Sequence, residues 1–315
     1  MTRMRFNAVE AARKPFDEVN VMHMVVEREM YDGTPAGGYE GRTDDKPRWS
    51  IFWDCDNGHL IEATKLPDAF HGTAVNVTVQ GLTVERYAPQ IQDGAIAAGK
   101  GWTVRDCVVR WNYALGISGR GDGCQIIDNY VHDNGQMGMG GGAHSPGIAF
   151  GMVVQGNEIA NNGYWSNIDV LWEGGGCKFA NTDGLVLSGN YAHDNKGTGL
   201  WTDINNIRTL YENNVLVRNT INGISHEISY DAIIRNNTFW GNGAGDTRGW
   251  LWGADLNIQN SCNCDIYGNR IEMTGGGNGA YVGMMVAVFA SSATSNCAPG
   301  NDEPATRSSL AMIPR

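Results

Sequence analysis

Pairs of asparagines five residues apart recur along the middle of this chain, and this repeat constrains the fold more than any other feature. The pairs are Asn129 and Asn134, Asn157 and Asn162, Asn190 and Asn195, Asn214 and Asn219, and Asn237 and Asn242. Cys107 with Asn112 is a degenerate first copy. The first asparagines of successive pairs lie 28, 33, 24 and 23 residues apart, so the period varies while the spacing inside a pair does not. Such a repeat indicates stacked coils joined by loops of differing length.

The segments around the pairs predict short β-strands. Apolar residues alternate with polar ones, and Gly, Asn and Asp follow each run, which excludes collagen, heptad and helical repeats. One coil cannot bury its apolar face alone, so the coils must stack at about 4.8 Å. Asparagine suits the bends because it tolerates left-handed backbone angles and because its amide can pair with the same amide one coil away. The sequence therefore predicts an all-β fold, a single-stranded right-handed parallel β-helix of about eight coils with an N-terminal cap.

Three regions follow from where the repeat begins and ends. Residues 1–70 show no repeat and are predicted to cap the stack, because an uncovered coil would expose an unpaired strand edge. Residues 71–290 are predicted to form the β-helix, and residues 291–315 a polar, proline-containing tail. Longer loops lie between Asn134 and Gly151, between Asn162 and Lys178, and between Asn242 and Leu256. In a solenoid, such insertions usually gather on one side and shape a binding groove.

Composition limits the possible partners. The chain has 315 residues, of which 42% are hydrophobic and 18% charged, as expected for one elongated domain. A formal net charge of −11 without a run of Lys and Arg argues against a nucleic-acid partner, and makes a polyanionic substrate less natural unless a cation bridges. No apolar run reaches the roughly 18 residues of a membrane span, and we identify no signal-peptide core in this chain. The oligomeric state is left open.

The third strand of each coil carries the candidate chemistry. Aligning the coils places GCKFA (176–180), GLWTD (199–203), GISHE (223–227) and DLNIQ (255–259) in register. Alternation then points Lys178 and Trp201 outward in one column, and Asp203 and Glu227 outward in the next. The two carboxylates are thus predicted neighbours on adjacent coils, with Cα atoms about 4.8 Å apart. Like charges this close should raise the pKa of one carboxyl group.

Three interpretations of this carboxylate pair remain open. In the first, Asp203 and Glu227 form a catalytic dyad, with one protonated as general acid and the other acting as nucleophile or base, as glycosidic bond cleavage requires. In the second, the two carboxylates bind Ca²⁺, which is possible but not required as a cofactor. In the third, they form a solvated pair eased by Arg208 or Lys196 from the adjoining turns.

Further candidates surround the pair. Glu173 precedes three glycines that allow close approach of backbone or ligand, and Lys178 is either a substrate-orienting group or base, or a neutralising partner of Glu173 or Asp203. Aromatic side chains near the acidic column would provide apolar planes for the faces of sugar rings. These candidate substrate-binding residues are Trp172, Trp201, Tyr164, Trp165 and Tyr230.

Other polar residues are expected to be structural. His226 is predicted to point into the core, where a hydrogen-bonded histidine is more common than a catalyst. Glu212 and Arg235 occupy equivalent places on neighbouring coils and predict a surface ion pair. Cys124 and Cys264 hold the same place in their coils and are predicted to fill the core.

Residues 172–179 (WEGGGCKF), 190–206 and 226–243 resemble the bacterial right-handed parallel β-helix repeat proteins of the pectate-lyase-like superfamily. This resemblance implies extracellular carbohydrate work, and so a secreted or cell-surface protein. NTDG at 181–184 matches a string seen in polygalacturonases, but the paired aspartates and the Arg-x-Lys expected downstream are missing. No arginine stands in the acidic column, as the base of a pectate lyase would.

The expected function is cleavage of glycosidic bonds in a polysaccharide or oligosaccharide, with acid–base hydrolysis placed ahead of calcium-assisted β-elimination using Lys178. A non-catalytic glycan-binding or adhesive β-helix is the alternative from a different class, and fold analogy alone does not separate them.

Overall fold

The computed structural model describes residue 64 and residues 66–272, apart from 145–146, 166–167, 249–251, 260 and 262, together with four strands outside that range. The chain divides into two compact units, residues 1–65 and 66–315. In the first unit, Glu27–Glu29 pairs antiparallel with Arg48–Ser50. The rest of the predicted N-terminal cap, up to residue 63, lies outside the described residues.

The second unit is built from three long parallel sheets, and each coil contributes one strand to each sheet. The first sheet contains Thr78–Gln80, Thr103–Arg105, Gln125–Ile127, Val153–Gln155, Val186–Ser188, Leu210–Glu212, Ile233–Arg235, Cys264–Tyr267 and Thr306–Ser309. The second contains Thr83–Glu85, Val108–Arg110, Tyr130–His132, Glu158–Ala160, Tyr191–His193, Val215–Val217, Thr238–Trp240 and Arg270–Glu272. The third contains Gly94–Ala98, Leu115–Gly119, Met137–Gly142, Gly175–Ala180, Thr198–Asp203, Ile224–Glu227, Leu256–Gln259 and Met284–Ala287.

Few other elements accompany these sheets in the described part of the chain. Ala149–Phe150 pairs in parallel with Thr182–Asp183 after the third sheet. One short α-helix, Val170–Glu173, lies in the loop between a second-sheet strand and a third-sheet strand, with Asp169 as its N-cap. No helix among the described residues is long and apolar enough to cross a membrane.

The three parallel sheets, stacked coil by coil, confirm the predicted parallel β-helix.

Two asparagine ladders run along the solenoid, as the five-residue spacing predicts. In each ladder the side-chain oxygen accepts the backbone N–H and the Nδ2–H of the asparagine on the preceding coil. For example, Asn195 Oδ1 lies 3.0 Å from both the N and the Nδ2 of Asn162. Cys107 donates its N–H to Asn129 at 3.0 Å, which confirms it as the degenerate first copy. The second ladder ends at Asp255, whose Oδ1 accepts from Asn242 N at 3.2 Å and Nδ2 at 2.7 Å.

The left-handed residue at each bend is the one before the ladder position, not the ladder asparagine itself. Asp128 (φ 54°), Asp194 (φ 55°) and Gly189 (φ 63°) immediately precede ladder residues and have positive φ. The expectation that the paired asparagines adopt the left-handed angles is therefore wrong. Their backbone remains outside the left-handed region while the preceding residue turns the chain. The ladder asparagine is needed for its amide, and the bend can use several residue types.

The main core is a stack of apolar side chains that point inward from all three sheets, and a smaller buried cluster contains Ala114, Leu115 and Met137. Its largest buried members include Ile126, Phe179, Leu187, Tyr211 and Phe239. Cys124 and Cys264 are buried in the same stack, and burial raises the pKa of each thiol to about 12, so both act as apolar fillers as predicted.

Candidate functional site

The register of the third sheet brings the predicted carboxylates together. Asp203 pairs with Glu227 on the next coil, and Lys178 pairs with Trp201. The side chains that alternate with them point inward and are fully buried, namely Cys177, Phe179, Leu200, Thr202, Ile224 and His226. The predicted faces and the predicted adjacency of Asp203 and Glu227 are therefore confirmed. The catalytic roles assigned to them stay predictions.

Lys178 is the centre of the polar cluster on this outer face. Its Nζ lies 2.9 Å from Asp203 Oδ2 and 3.1 Å from Glu173 Oε1. It also donates to the backbone oxygen of Trp172 at 2.9 Å and lies 3.9 Å from the centre of the Trp201 ring. One ammonium group thus joins the short helix to two neighbouring third-sheet strands. The expectation that Lys178 neutralises Glu173 or Asp203 is met by both at once.

The surroundings of Glu227 raise its pKa. Burial, followed by the charge of Asp203, raises the pKa of Glu227 to about 7, against the lowering effect of Lys178. Glu227 Oε1 accepts a hydrogen bond from Trp201 Nε1 at 3.0 Å. Asp203 Oδ1 is buried, and no donor among the described residues hydrogen-bonds to it. A protonated Glu227 would supply this donor. A hydrogen bond to Asp203 favours the protonated form and so adds to the raised pKa of Glu227.

The pKa values of Glu173 and Lys178 are raised as well. Burial raises the pKa of Glu173, and Lys178 only partly offsets this. Burial would lower the pKa of Lys178, but the charges of Asp203 and Glu173 outweigh it and raise that pKa above its usual value. Lys178 is therefore an ammonium group at any physiological pH. It can orient or neutralise an anion, and it is poorly suited to accept a proton.

Arg208, one of the two basic residues proposed to ease the carboxylate pair, lies elsewhere. Arg208 forms its ion pair with Asp183, beyond the end of the third sheet. The partner of Asp203 is Lys178, which follows three glycines in the chain. Gly176 lies against the next coil: a Cβ there would come within 2.3 Å of Gly199 O and 3.2 Å of Asn195 Nδ2. Glycine is therefore required at this position for packing.

The candidate aromatic residues do not form one platform. Trp201 is 5% exposed, so the expectation that it presents an open ring at the surface is wrong. Trp172, in the short helix, is 56% exposed and is the candidate ring available to a ligand beside Lys178. Tyr164 and Trp165 stack on each other, and Trp165 packs against Tyr113 at a neighbouring corner.

Trp165 is placed by a glycine. A Cβ on Gly135 would come within 1.8 Å of the Trp165 ring, and Trp165 N–H donates to Gly135 O at 3.1 Å. Burial raises the pKa of the Tyr164 hydroxyl. Tyr230 lies after the third-sheet strand that ends at Glu227, where it bridges to Ile207. These three residues therefore lie at the corners of the coil, and their proposed contact with substrate stays a prediction.

A cavity of ≈ 220 Å³ lies beside Lys178 on the outer face of the third sheet. Its floor includes Gly141 and Gly142, and Leu115 and Met137 give it an apolar side. Its polar lining residues are Gln92, Arg120, His144, Glu173, Lys178 and Asn181. The cavity reaches Lys178 and Glu173, whereas Asp203 and Glu227 are not among its lining residues.

Sequence reasoning missed Arg120 and His144. Arg120 donates to Asp93 Oδ1 at 2.7 Å and to Gln92 O at 3.1 Å, and it also contacts His144 Nε2. The only signal was the long loop after Asn134, which carries His144. Two of the three predicted long loops join the second sheet to the third, whereas the loop with His144 joins the third sheet to the first. The insertions therefore do not all lie on one side of the solenoid, contrary to the prediction from the sequence.

The residues expected to be structural are confirmed as such. His226 is fully buried, hydrogen-bonds Thr202 Oγ1 at 2.7 Å, and burial lowers its pKa to about 3. Arg235 Nε lies 2.8 Å from Glu212 Oε1 on the outer face of the first sheet, which is the predicted ion pair. Neither feature belongs to the site.

The carboxylate pair offers few of the ligands that a calcium ion needs. No group of three or more His, Cys, Asp or Glu side chains suited to a metal occurs in the part of the chain that the structure describes. Calcium takes six to eight oxygen ligands, and the pair of Asp203 and Glu227 supplies two carboxylates beside an ammonium group. The residues present therefore do not fit a calcium site as they stand.

Residues 93–271 match the family model described as "Right handed beta helix region", and the chain belongs to that family. No curated protein matches the chain significantly. Among solved structures, XylC in complex with xylose is 17% identical, with 63% of this chain and 36% of that chain covered and a TM-score of 0.43. A single mutant of the periplasmic alginate epimerase AlgG is 15% identical, with 66% and 49% covered and a TM-score of 0.43.

The A-module of the mannuronan C-5 epimerase AlgE4 from Azotobacter vinelandii is 13% identical, with 68% of this chain and 62% of that chain covered and a TM-score of 0.35. The chain spans about a third to a half of the length of the first two structures. These likenesses concern the fold.

Proposed function

We propose that this protein is a carbohydrate-active enzyme that hydrolyses glycosidic bonds of a polysaccharide on the outer face of the third sheet. The observation that carries the proposal is the pair of Asp203 and Glu227 on adjacent coils, in which Glu227 has a pKa of about 7. A carboxylic acid that is half protonated near neutral pH, beside a carboxylate held by an ammonium group, has the two protonation states that acid–base hydrolysis needs.

The roles follow from these states. Glu227 donates its proton to the glycosidic oxygen as the leaving group departs. Asp203 either takes a proton from the water that attacks the anomeric carbon, or attacks that carbon itself and is released by water in a second step. Lys178 holds Asp203 in place through Oδ2 at 2.9 Å, and Glu173 holds Lys178.

Substrate binding must separate the two carboxyl groups. They are register partners on adjacent strands, whereas glycosidases place the two carboxyl groups roughly 5–5.5 Å apart in retaining enzymes and farther apart in inverting ones. Their Cα atoms lie on neighbouring strands, so rotation of the side chains toward a substrate reaches the shorter separation first. A retaining mechanism is therefore the simpler outcome.

Hydrolysis is better supported than elimination by Lys178. A base for β-elimination must lose its proton near the working pH, and the two carboxylates raise the pKa of Lys178 instead.

A non-catalytic glycan-binding or adhesive protein is the second candidate. One observation favours it, since the cavity is lined by Lys178 and Glu173 and not by the carboxylate pair. In either case the partner is a polysaccharide or oligosaccharide, and the protein is secreted or at the cell surface. Support for this comes from the family resemblance.

Product analysis on a panel of polysaccharides tests the proposal. New reducing ends without an unsaturated sugar indicate hydrolysis, new reducing ends together with an unsaturated sugar that absorbs in the ultraviolet indicate elimination, and the absence of both indicates binding alone. On a substrate that is cleaved, Asp203→Asn and Glu227→Gln should each lower kcat by roughly a hundredfold or more. Glu212→Gln, on the first sheet, is the matched control and should leave kcat unchanged. Full turnover in both site variants would place the chemistry elsewhere on the solenoid.

A further inference from the structure

We propose that the enzyme acts at the end of a glycan chain and takes one terminal sugar residue into the cavity beside Lys178. This rests on the proposed function and concerns which bond of the polymer is cut. It follows from the size of the cavity, from the residues that close it, and from its position relative to the carboxylate pair.

The cavity fits one sugar ring. Its volume of ≈ 220 Å³ is below the roughly 300–1,000 Å³ of pockets for drug-sized ligands, so an extended oligosaccharide does not fit within it. Its lining suits a pyranose, since Leu115 and Met137 offer an apolar side and Gln92 and Asn181 offer amides that can both donate and accept. A polymer crossing this face would need an open channel instead.

Arg120 closes the end of the cavity nearest the N-terminal coils. It follows the strand Leu115–Gly119, while its partners Gln92 and Asp93 precede the neighbouring parallel strand Gly94–Ala98. In parallel strands, the residue after one strand and the residue before its neighbour lie at opposite ends. The Arg120 side chain therefore lies across the outer face of the sheet, held at 2.7 Å by Asp93 and in contact with His144 on the next coil.

The opposite end leads to the proposed chemistry. There the lining residues are Lys178 and Glu173. Asp203 is on the coil after Lys178, and Glu227 is on the coil after that, so they lie about 5 and 10 Å farther along the solenoid. A sugar inside the cavity would direct its single glycosidic bond toward this pair. The remainder of the chain would continue over the later coils.

Time courses on defined oligosaccharides test this. Hexasaccharides of xylan, mannuronan and polygalacturonate, labelled at the reducing end, are incubated with the wild-type protein and the products are separated by length. We expect the monosaccharide and the pentasaccharide to appear first and together. Early release of di-, tri- and tetrasaccharides would overturn chain-end action while leaving hydrolysis intact. If no hexasaccharide and no polymer of the panel is cleaved, the proposed function itself fails.

The closing role of Arg120 is tested by opening the cavity. Arg120→Ala should let the chain slide past and release disaccharides and longer fragments at the start of the reaction. Asp93→Asn weakens the contact that holds Arg120 but keeps a side chain of the same size. It should shift the products toward longer fragments to a smaller extent, and it replaces Arg120→Ala in the test if that variant folds poorly. Arg235→Ala on the first sheet is the control and should keep the wild-type pattern. Single-sugar release by both Arg120→Ala and Asp93→Asn would refute Arg120 as the wall.

Discussion

Replacing Glu227 by Gln should make the protein more stable above neutral pH. The substitution keeps the shape of the side chain, its oxygen can still accept from Trp201 Nε1, and its amide can donate to the buried Asp203 oxygen that has no donor in the described structure. Most substitutions of a buried polar residue destabilise a protein. The opposite sign here would show that the carboxylate pair carries unfavourable charge, as expected of a functional site.

The magnitude follows from the pKa. In the folded protein the pKa of Glu227 rises from 4.5 to about 7, which at about 1.4 kcal/mol per unit corresponds to roughly 3 kcal/mol as an upper value. Because the folded pKa is raised, the folded state binds the proton more tightly than the unfolded state. Stability from this group is therefore full below the unfolded pKa and is lost as pH rises through about 7. Gln keeps the neutral form at every pH.

Thermal unfolding at pH 5 and pH 8 provides the assay. Wild type and Glu227→Gln should have similar Tm values at pH 5, and the variant should melt higher at pH 8, by about 2–4 °C for each kcal/mol. Glu212→Gln removes an ion pair with Arg235 on the first sheet and should lower Tm slightly at both values of pH. A variant that tracks wild type at pH 8, or melts lower there, would show that Glu227 is not held in an unfavourable charged state.

Two further predictions concern the ladders. Asn195→Ala should lower the free energy of unfolding by roughly 3–5 kcal/mol, because it leaves the backbone N–H and an Nδ2–H of Asn162 without their acceptor in the core. Asn213→Gly, at an exposed left-handed bend, should change the free energy of unfolding little, and equal losses for the two variants in urea unfolding would deny the ladder its role. Asp255→Asn should stabilise the protein by about 2 kcal/mol above pH 6, because burial raises the pKa of Asp255 to about 6 and its charged form is therefore disfavoured in the fold; a Tm lower than wild type at pH 8 would contradict this.

The coil architecture was predictable because its signals are local and repeated. Each asparagine pair marks the same two corners, and alternation within four or five residues assigns every third-sheet side chain to a face. The adjacency of Asp203 and Glu227 needed only those two facts, and the register confirms it. The bend geometry was not predictable in the same way, because Asp, Gly, Asn, Arg and Trp all occur at the left-handed position.

The environment of the pair could not be predicted, because it depends on loops without periodicity. Alternation shows that Trp201 points away from the core, but not that its ring is 5% exposed with an ammonium group above it. Lys178 reaches Glu173 as well as Asp203 because the loop that ends in the short helix brings Glu173 back over the sheet. Arg120 belongs to no repeat, and its position over the sheet depends on the hydrogen bond that it donates to Asp93.

The solenoid itself explains why a strained charge pair can persist on this face. Backbone hydrogen bonds fix neighbouring strands about 4.8 Å apart, and the ladders restrain the bends that precede each third-sheet strand. Asp203 and Glu227 therefore cannot move apart by shifting the backbone. The repulsion can be relieved only by a proton on Glu227, by the ammonium group of Lys178, or by side-chain rotation toward a ligand. A substrate that separates the two carboxyl groups would make the proton of Glu227 and the oxygens of Asp203 available to the glycosidic bond, while burial keeps the pKa of Glu227 raised.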